Sequence, residues 1–163
     1  MMRYLEDLCV GDETCFDGGY EVTEGEIIEV GMRWDPHPFH TDPEAAKGTI
    51  FGGLVASSAH IFAIWVSLGR SKIDEGKCIA SVSALGFDKL QWHVPVRPGD
   101  TLRKRQIVVA VRESKSKPDL GIVSIEETVF NHADETVFTL ECSFLVPKRT
   151  SSSSETARSN PVS

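Results

Sequence analysis

The segment Leu54 to Leu68 (LVASSAHIFAIWVSL) constrains the fold most, because it carries apolar side chains at nearly every helical angle through Ile61, Phe62, Ile64, Trp65 and Val66. A helix that is apolar all round has no face to give to water, so it belongs inside the molecule. The second half of the chain supplies the cover. Residues 78–92, 101–112, 121–131 and 136–147 are rich in Val, Ile, Thr and Phe, the composition of strands. Period-two alternation is clear from Thr136 to Phe144, and Arg97-Pro98-Gly99-Asp100 and Asn131-His132-Ala133-Asp134 supply turns. A further strand is expected near Thr14 to Val22, ahead of the helices. The sum is an α+β domain: one curved antiparallel sheet wrapped around a long central helix.

The chain of 163 residues is one domain, large enough to bury a core. Residues 1–149 read as a single folded unit without an internal repeat. From Thr150 the Ser-rich run to Ser163 has almost nothing to bury, so 150–163 is expected to be a disordered tail. A formal net charge of −7 argues against nucleic acid or an anionic membrane as the main partner. It leaves room for a local basic patch facing an anionic ligand. The cysteines at 9, 15, 78 and 142 lack the paired short spacing of zinc or redox sites. With no signal-peptide core and no membrane-length apolar run, they read as reduced packing residues of a cytoplasmic protein.

Chemistry is concentrated in Trp34-Asp35-Pro36-His37-Pro38-Phe39-His40-Thr41-Asp42-Pro43-Glu44-Ala45-Ala46. Each proline fixes its own φ and pushes its predecessor out of the helical region. The segment is therefore expected as a rigid loop that holds Asp35 and His40 for acid–base work. Two helix starts bracket it. Thr23-x-x-Glu26 is a capping-box pattern opening a helix through Ile27, Ile28 and Val30, and Asp42-Pro43 pairs an N-cap with a proline at the first helical position.

Four pieces in this order resemble the MaoC-like dehydratases of the hot-dog fold, the group that includes the (R)-specific enoyl-CoA hydratases. They are Tyr20-Glu21-Val22-Thr23, Asp35-Pro36-His37-Pro38-Phe39-His40 with Asp42-Pro43-Glu44-Ala45-Ala46, Phe51-Gly52-Gly53-Leu54-Val55-Ala56-Ser57, and Val94-Pro95-Val96-Arg97-Pro98-Gly99-Asp100. The resemblance implies a single hot-dog domain acting as a homodimer. It implies that Asp35 and His40 activate water, in reversible hydration of a trans-2-enoyl thioester of CoA or an acyl carrier to its 3-hydroxyacyl form. It also implies that the amide of Ser58 receives the thioester oxygen, with Ser57, Gly53 and Phe39 around the substrate. No metal or redox cofactor is called for. Many members carry Asn or Gln at the position of His37 and Gly at that of Ser58.

Plainer assignments stand beside these. Asp35 could cap a turn and His40 could pack in the core. A metal triad of Asp35, His37 and His40 would require three side chains to converge across two prolines. Ser57 and Ser58 lack the Gly-x-Ser-x-Gly of a serine hydrolase, and Gly52-Gly53 lacks the rest of a phosphate-binding loop. His60 is expected in the core against a strand, and His93 and His132 near turns facing solvent. Arg97, Arg103, Lys104 and Arg105 are either a solvated strand edge or a landing site for CoA phosphates. Trp34, Phe39, Trp65 and Trp92 are core candidates, some of them lining an acyl tunnel. A thioesterase on the same fold and a non-catalytic acyl-CoA-binding domain are the rival functions.

Overall fold

The computed structural model describes residues 2–70, 76 and 78–149; the segment 150–163 lies outside the described residues. Strand β1 (Glu13–Glu21) is followed by helices α1 (Glu24–Trp34), α2 (Pro38–Thr41), α3 (Pro43–Lys47) and α4 (Ser58–Arg70). Four strands complete the fold: β2 (Ser83–Trp92), β3 (Thr101–Glu113), β4 (Leu120–Phe130) and β5 (Thr136–Pro147). They form one antiparallel sheet in the order β1-β3-β4-β5-β2. This is the α+β hot-dog arrangement, with the α4 helix lying in the curve of the sheet.

Helix α4 buries Ile61, Ile64, Trp65 and Leu68 against Leu102 of β3, Val129 of β4, and Phe138 and Leu140 of β5. Each such side chain contributes about 1.5–3 kcal/mol on full burial, so the helix and the inner face of the sheet stabilise one another. The alternation expected of half-buried strands is present. On β3, Leu102, Lys104, Gln106 and Val108 point inward, and on β4, Val123, Ile125, Glu127 and Val129 do. Three of those inward residues, Lys104, Gln106 and Glu127, are polar.

The structure corrects the expected boundaries of the central helix. It begins at Ser58 rather than Leu54, because the amides of Val55 and Ala56 donate to the carbonyls of Phe39 and Val96 at 3.0 and 2.9 Å. Ser57 then caps the helix, its hydroxyl accepting from the His60 amide at 3.2 Å. Nor is the helix covered all round. Ala59, Ala63, Val66 and Ser67 form an exposed stripe. Strand β2 starts at Ser83 rather than Cys78, the preceding residues being tied to the N-terminus by an Arg3–Ile79 bridge. It pairs on one side only, and Leu85, Phe87 and Trp92 stay exposed along it. Trp34, expected in the core, is 68% exposed. Its indole sits at the end of α1, under the Arg33 guanidinium. Of the cysteines, Cys78 and Cys142 are buried as packing residues, whereas Cys9 and Cys15 are exposed.

Half of the capping box forms. The Thr23 hydroxyl accepts from the Glu26 amide at 3.2 Å. The Glu26 carboxylate turns away instead, accepting from the Tyr20 hydroxyl and standing 3.3 Å from Nε2 of His60. His60 is thus buried against a helix carboxylate rather than a strand. The bond to Glu26 holds the Tyr20 phenol in its protonated form, with a pKa pushed up to about 12.

Candidate active site

Asp35 ends α1, and Pro38 starts the single helical turn α2 that carries His40. The stiff loop expected here is in part a helix, because proline is favoured at the first helical position, where its missing N–H is no loss. The tight turn packs His40 against α1. A Cβ placed on Gly31 would lie 2.6 Å from the His40 carbonyl oxygen and 2.9 Å from the His40 Cβ. Glycine at 31 is what lets the two helices approach. Gly31→Ala should therefore push the His40 turn outward, costing about 1–3 kcal/mol in stability and roughly 10²-fold in turnover. A thermal melt and a rate assay on the same sample check both.

The geometry of the three polar side chains is specific. Nδ1 of His40 lies 2.6 Å from the Val55 carbonyl oxygen, which can only accept, so Nδ1 carries the proton. Nε2 of the neutral ring then presents its lone pair, 3.5 Å from Oδ2 of Asp35. The other carboxylate oxygen, Oδ1, is 2.5 Å from Nδ1 of His37. The His37 ring is stacked on Phe39 with centroids 5.2 Å apart. His40 is buried and Asp35 half-buried, so the pair sits at the boundary between core and solvent. A water bridging Nε2 and Oδ2 would meet one acceptor with a free lone pair and one anion. That arrangement can take a proton from water. Among the described residues no group of three or more His, Cys, Asp or Glu side chains could hold a metal ion.

Against His40 lies a cavity of about 340 Å³, lined also by Phe39, Phe51, Ile61, Trp92 and Val94 among others. Ser58 also lines it. Its amide belongs to the first turn of α4, where backbone N–H groups have no intrahelical partner. Such a donor suits an oxygen on which negative charge develops.

The other sequence candidates are distributed unevenly. Phe39 lines the cavity, its ring 4.5 Å from that of His40. Ser57 is buried with its hydroxyl committed to the helix cap. Gly53 stands behind the cavity, where a Cβ would lie 3.4 Å from the Arg97 guanidinium. Arg97 itself donates to the Phe51 carbonyl at 2.6 Å and so holds the loop that forms one wall. Arg103 and Arg105 are elsewhere. They line a separate depression with Cys15, Phe130 and Asp134, Arg103 paired with Asp134 at 2.5 Å and Arg105 over the Phe130 ring. Lys104 points the opposite way, into the core. The basic cluster of the sequence is therefore not one site. His93 and His132 are exposed, bonded to Thr139 and Asp100. Sequence reasoning missed Gly31, the Val55 carbonyl and the orienting bond from His37. The last had a signal in the Asp-Pro-His spacing.

Comparison with known proteins fixes the family. The MaoC like domain model matches residues 10–130. This chain belongs to that family. The crystal structure of the MaoC-like dehydratase from Rhodospirillum rubrum superimposes with a TM-score of 0.81 at 36% identity, covering 90% of this chain and 98% of that one. An (R)-hydratase from A. caviae involved in PHA biosynthesis shares the fold with a TM-score of 0.67 at 23% identity, covering 87% and 99%. A UPF0336 protein of Streptomyces avermitilis is 29% identical over 123 residues, 74% of this chain and 80% of that protein. The MaoC-like assignment points to a hydratase or dehydratase kind of chemistry, and no described helix is long and apolar enough to span a membrane.

Proposed function

We propose that the protein reversibly hydrates a trans-2-enoyl thioester, carried on CoA or an acyl carrier, to the 3-hydroxyacyl thioester. The observation that carries this reading is the 3.5 Å approach of Asp35 Oδ2 to His40 Nε2, with the Nε2 lone pair freed by the Val55 carbonyl, at the mouth of the cavity that Ser58 lines.

The water oxygen bonds to C3 while its proton passes to Nε2 of His40. The C2=C3 electron pair moves toward the thioester carbonyl, whose oxygen becomes negative and is held by the Ser58 amide. The imidazolium then returns its proton to C2, so one molecule of water has been added and the catalyst is unchanged. Asp35 orients the water and stabilises the imidazolium between the two transfers. His37 occupies Oδ1, which leaves Oδ2 aimed at His40. Acid–base action of this kind supplies roughly 10²–10⁴ in rate, and one oxyanion donor roughly 10²–10³. The thioester gives the apolar cavity its acyl chain, and Arg97, which holds the Phe51 carbonyl of the cavity wall, would meet a phosphate of the carrier.

The same reading includes a homodimer. Strand β2 offers an unpaired edge with exposed Leu85, Phe87 and Trp92 beside the exposed stripe of α4, and a second copy would cover both. Incubation with crotonyl-CoA should remove the enoyl-thioester absorbance without releasing free thiol. Thiol release in its place would assign a thioesterase, and saturable binding without turnover of any enoyl-CoA would assign a binding domain.

A further inference from the structure

Farther along α4 lies a second cavity, of about 320 Å³, whose walls are apolar and whose floor is not. Phe16, Phe62, Trp65, Phe87, Ile125 and Phe144 supply the walls. Lys104, Gln106 and Glu127 supply the floor, with exposures of only 5%, 5% and 2%. Strand register brings them together, since Gln106 faces Glu127 directly across the β3–β4 ladder and Lys104 lies two residues along the same face. Nζ of Lys104 stands 3.2 and 3.1 Å from the two carboxylate oxygens of Glu127. The Trp65 indole N–H donates to the same carboxylate. The ammonium also rests over the Phe16 ring at 4.8 Å. A Cβ on Gly69 would lie 2.9 Å from it, so α4 leaves room for the charge.

A buried ion pair alone is a structural feature that apolar residues often replace without loss. Gln106 is what the ion pair does not explain. Its amide lines the cavity and is not among the polar atoms sealed away from it, and no side-chain hydrogen bond ties it to another described residue. An amide that faces cavity space offers two donors and one acceptor to whatever polar group enters before it.

Both cavities lie along α4. Ser58 and Ile61 line the first, and Phe62, Trp65, Val66 and Gly69 the second. Trp92 of the first cavity is 5.5 Å from Phe138, which is 6.2 Å from Phe62. From Ser58 to Trp65 the helix rises by about 10 Å. A chain running along α4 from a thioester at Ser58 would pass half-buried Phe62 and end at the polar floor.

We propose that the acyl group hydrated at Asp35 and His40 is of medium length and ends in a neutral hydrogen-bonding group, a hydroxyl or a carboxamide, received by Lys104, Gln106 and Glu127. This rests on the hydratase reading. The floor carries one cation and one anion, so a charged terminus of either sign would meet a like charge. A hydroxyl or carboxamide can donate to Glu127 and accept from Lys104 while it completes Gln106.

Turnover and binding test it separately. The kcat/KM for 8-hydroxy-trans-2-octenoyl-CoA should exceed that for trans-2-octenoyl-CoA by at least about tenfold. Gln106→Leu should abolish that ratio, and the paired change Lys104→Met with Glu127→Met should do the same if Gln106→Leu does not fold. Octanamide, which has no thioester, should bind the wild type saturably and change Trp65 fluorescence, and this should be lost in Gln106→Leu. Equal use of both octenoyl thioesters, with no octanamide binding, overturns the polar terminus and leaves the hydratase reading intact. Octanamide binding with no hydration of any enoyl thioester overturns the hydratase reading, and the acyl assignment with it, while the cavity keeps its ligand class.

Discussion

Under the proposed hydration, Asp35→Asn should lower turnover by at least about two orders of magnitude while the domain stays folded. The amide keeps the size of the carboxylate and can still accept from His37 through its oxygen. It has no charge to stabilise the His40 imidazolium, and it can turn an N–H toward Nε2, occupying the lone pair that must take the proton. The loss therefore falls on turnover rather than on the melting temperature. His40→Ala is as damaging but less clean. It removes the base, and it also strips the Val55 carbonyl of the donor 2.6 Å away, at about 1–3 kcal/mol for a buried acceptor left unpaired. Rates and thermal melts measured on both variants separate the roles. Hydration retained in Asp35→Asn would remove the carboxylate from the mechanism.

The role of His37 comes from the same geometry. Its ring fixes one carboxylate oxygen from an exposed position, so a change there should disturb the aim of Asp35 more than the stability of the fold. In the proposed mechanism the two outer members of the Asp-Pro-His-Pro-Phe-His segment act on the reacting atoms. The histidine between them positions one of the pair.

Much of this was legible in the residues because local rules and tertiary demands agree. Asp42 and Pro43 say where α3 starts, and the Asp42 carboxylate does accept from the amides of Glu44 and Ala45. The alternation from Thr136 to Phe144 marks β5, since one of its faces is core. The residues misread were those whose neighbours are distant in sequence. Leu54 to Ala56 are apolar enough for helix, but the amides of Val55 and Ala56 are taken by the carbonyls of Phe39 and Val96. Arg103, Lys104 and Arg105 look like one basic patch, yet a strand sends successive side chains to opposite faces. Two reach the outer face, and Lys104 enters the core to meet a glutamate of the adjacent strand. Nothing local to Gly31 announces that the carbonyl of His40 will lie against it.

Lys104 also yields the largest expected stability change. Lys104→Ala should cost about 3–5 kcal/mol, because it leaves Glu127 buried without its cation. In a domain of this size that corresponds to a fall in melting temperature of roughly 6–20 °C. Replacing both partners with methionine should restore most of the loss, since neither charge then needs a partner. The pH dependence carries its own sign. Burial already pushes the Glu127 carboxyl above its ordinary value of 4.5, against the opposing pull of Lys104, and removing the lysine removes that pull. A carboxyl whose folded pKa is raised is protonated in both states below its unfolded pKa, so its ionisation costs nothing there. The penalty grows as pH rises from that point and levels off above the folded pKa. Lys104→Ala should therefore lie closest to the wild type near pH 4.5 and fall away toward neutrality, whereas the double methionine variant should lack that slope. Melts of the three proteins across this range decide it. A single variant as stable as the wild type at neutral pH would mean that water reaches the pair, and the polar floor would then not be a desolvated one.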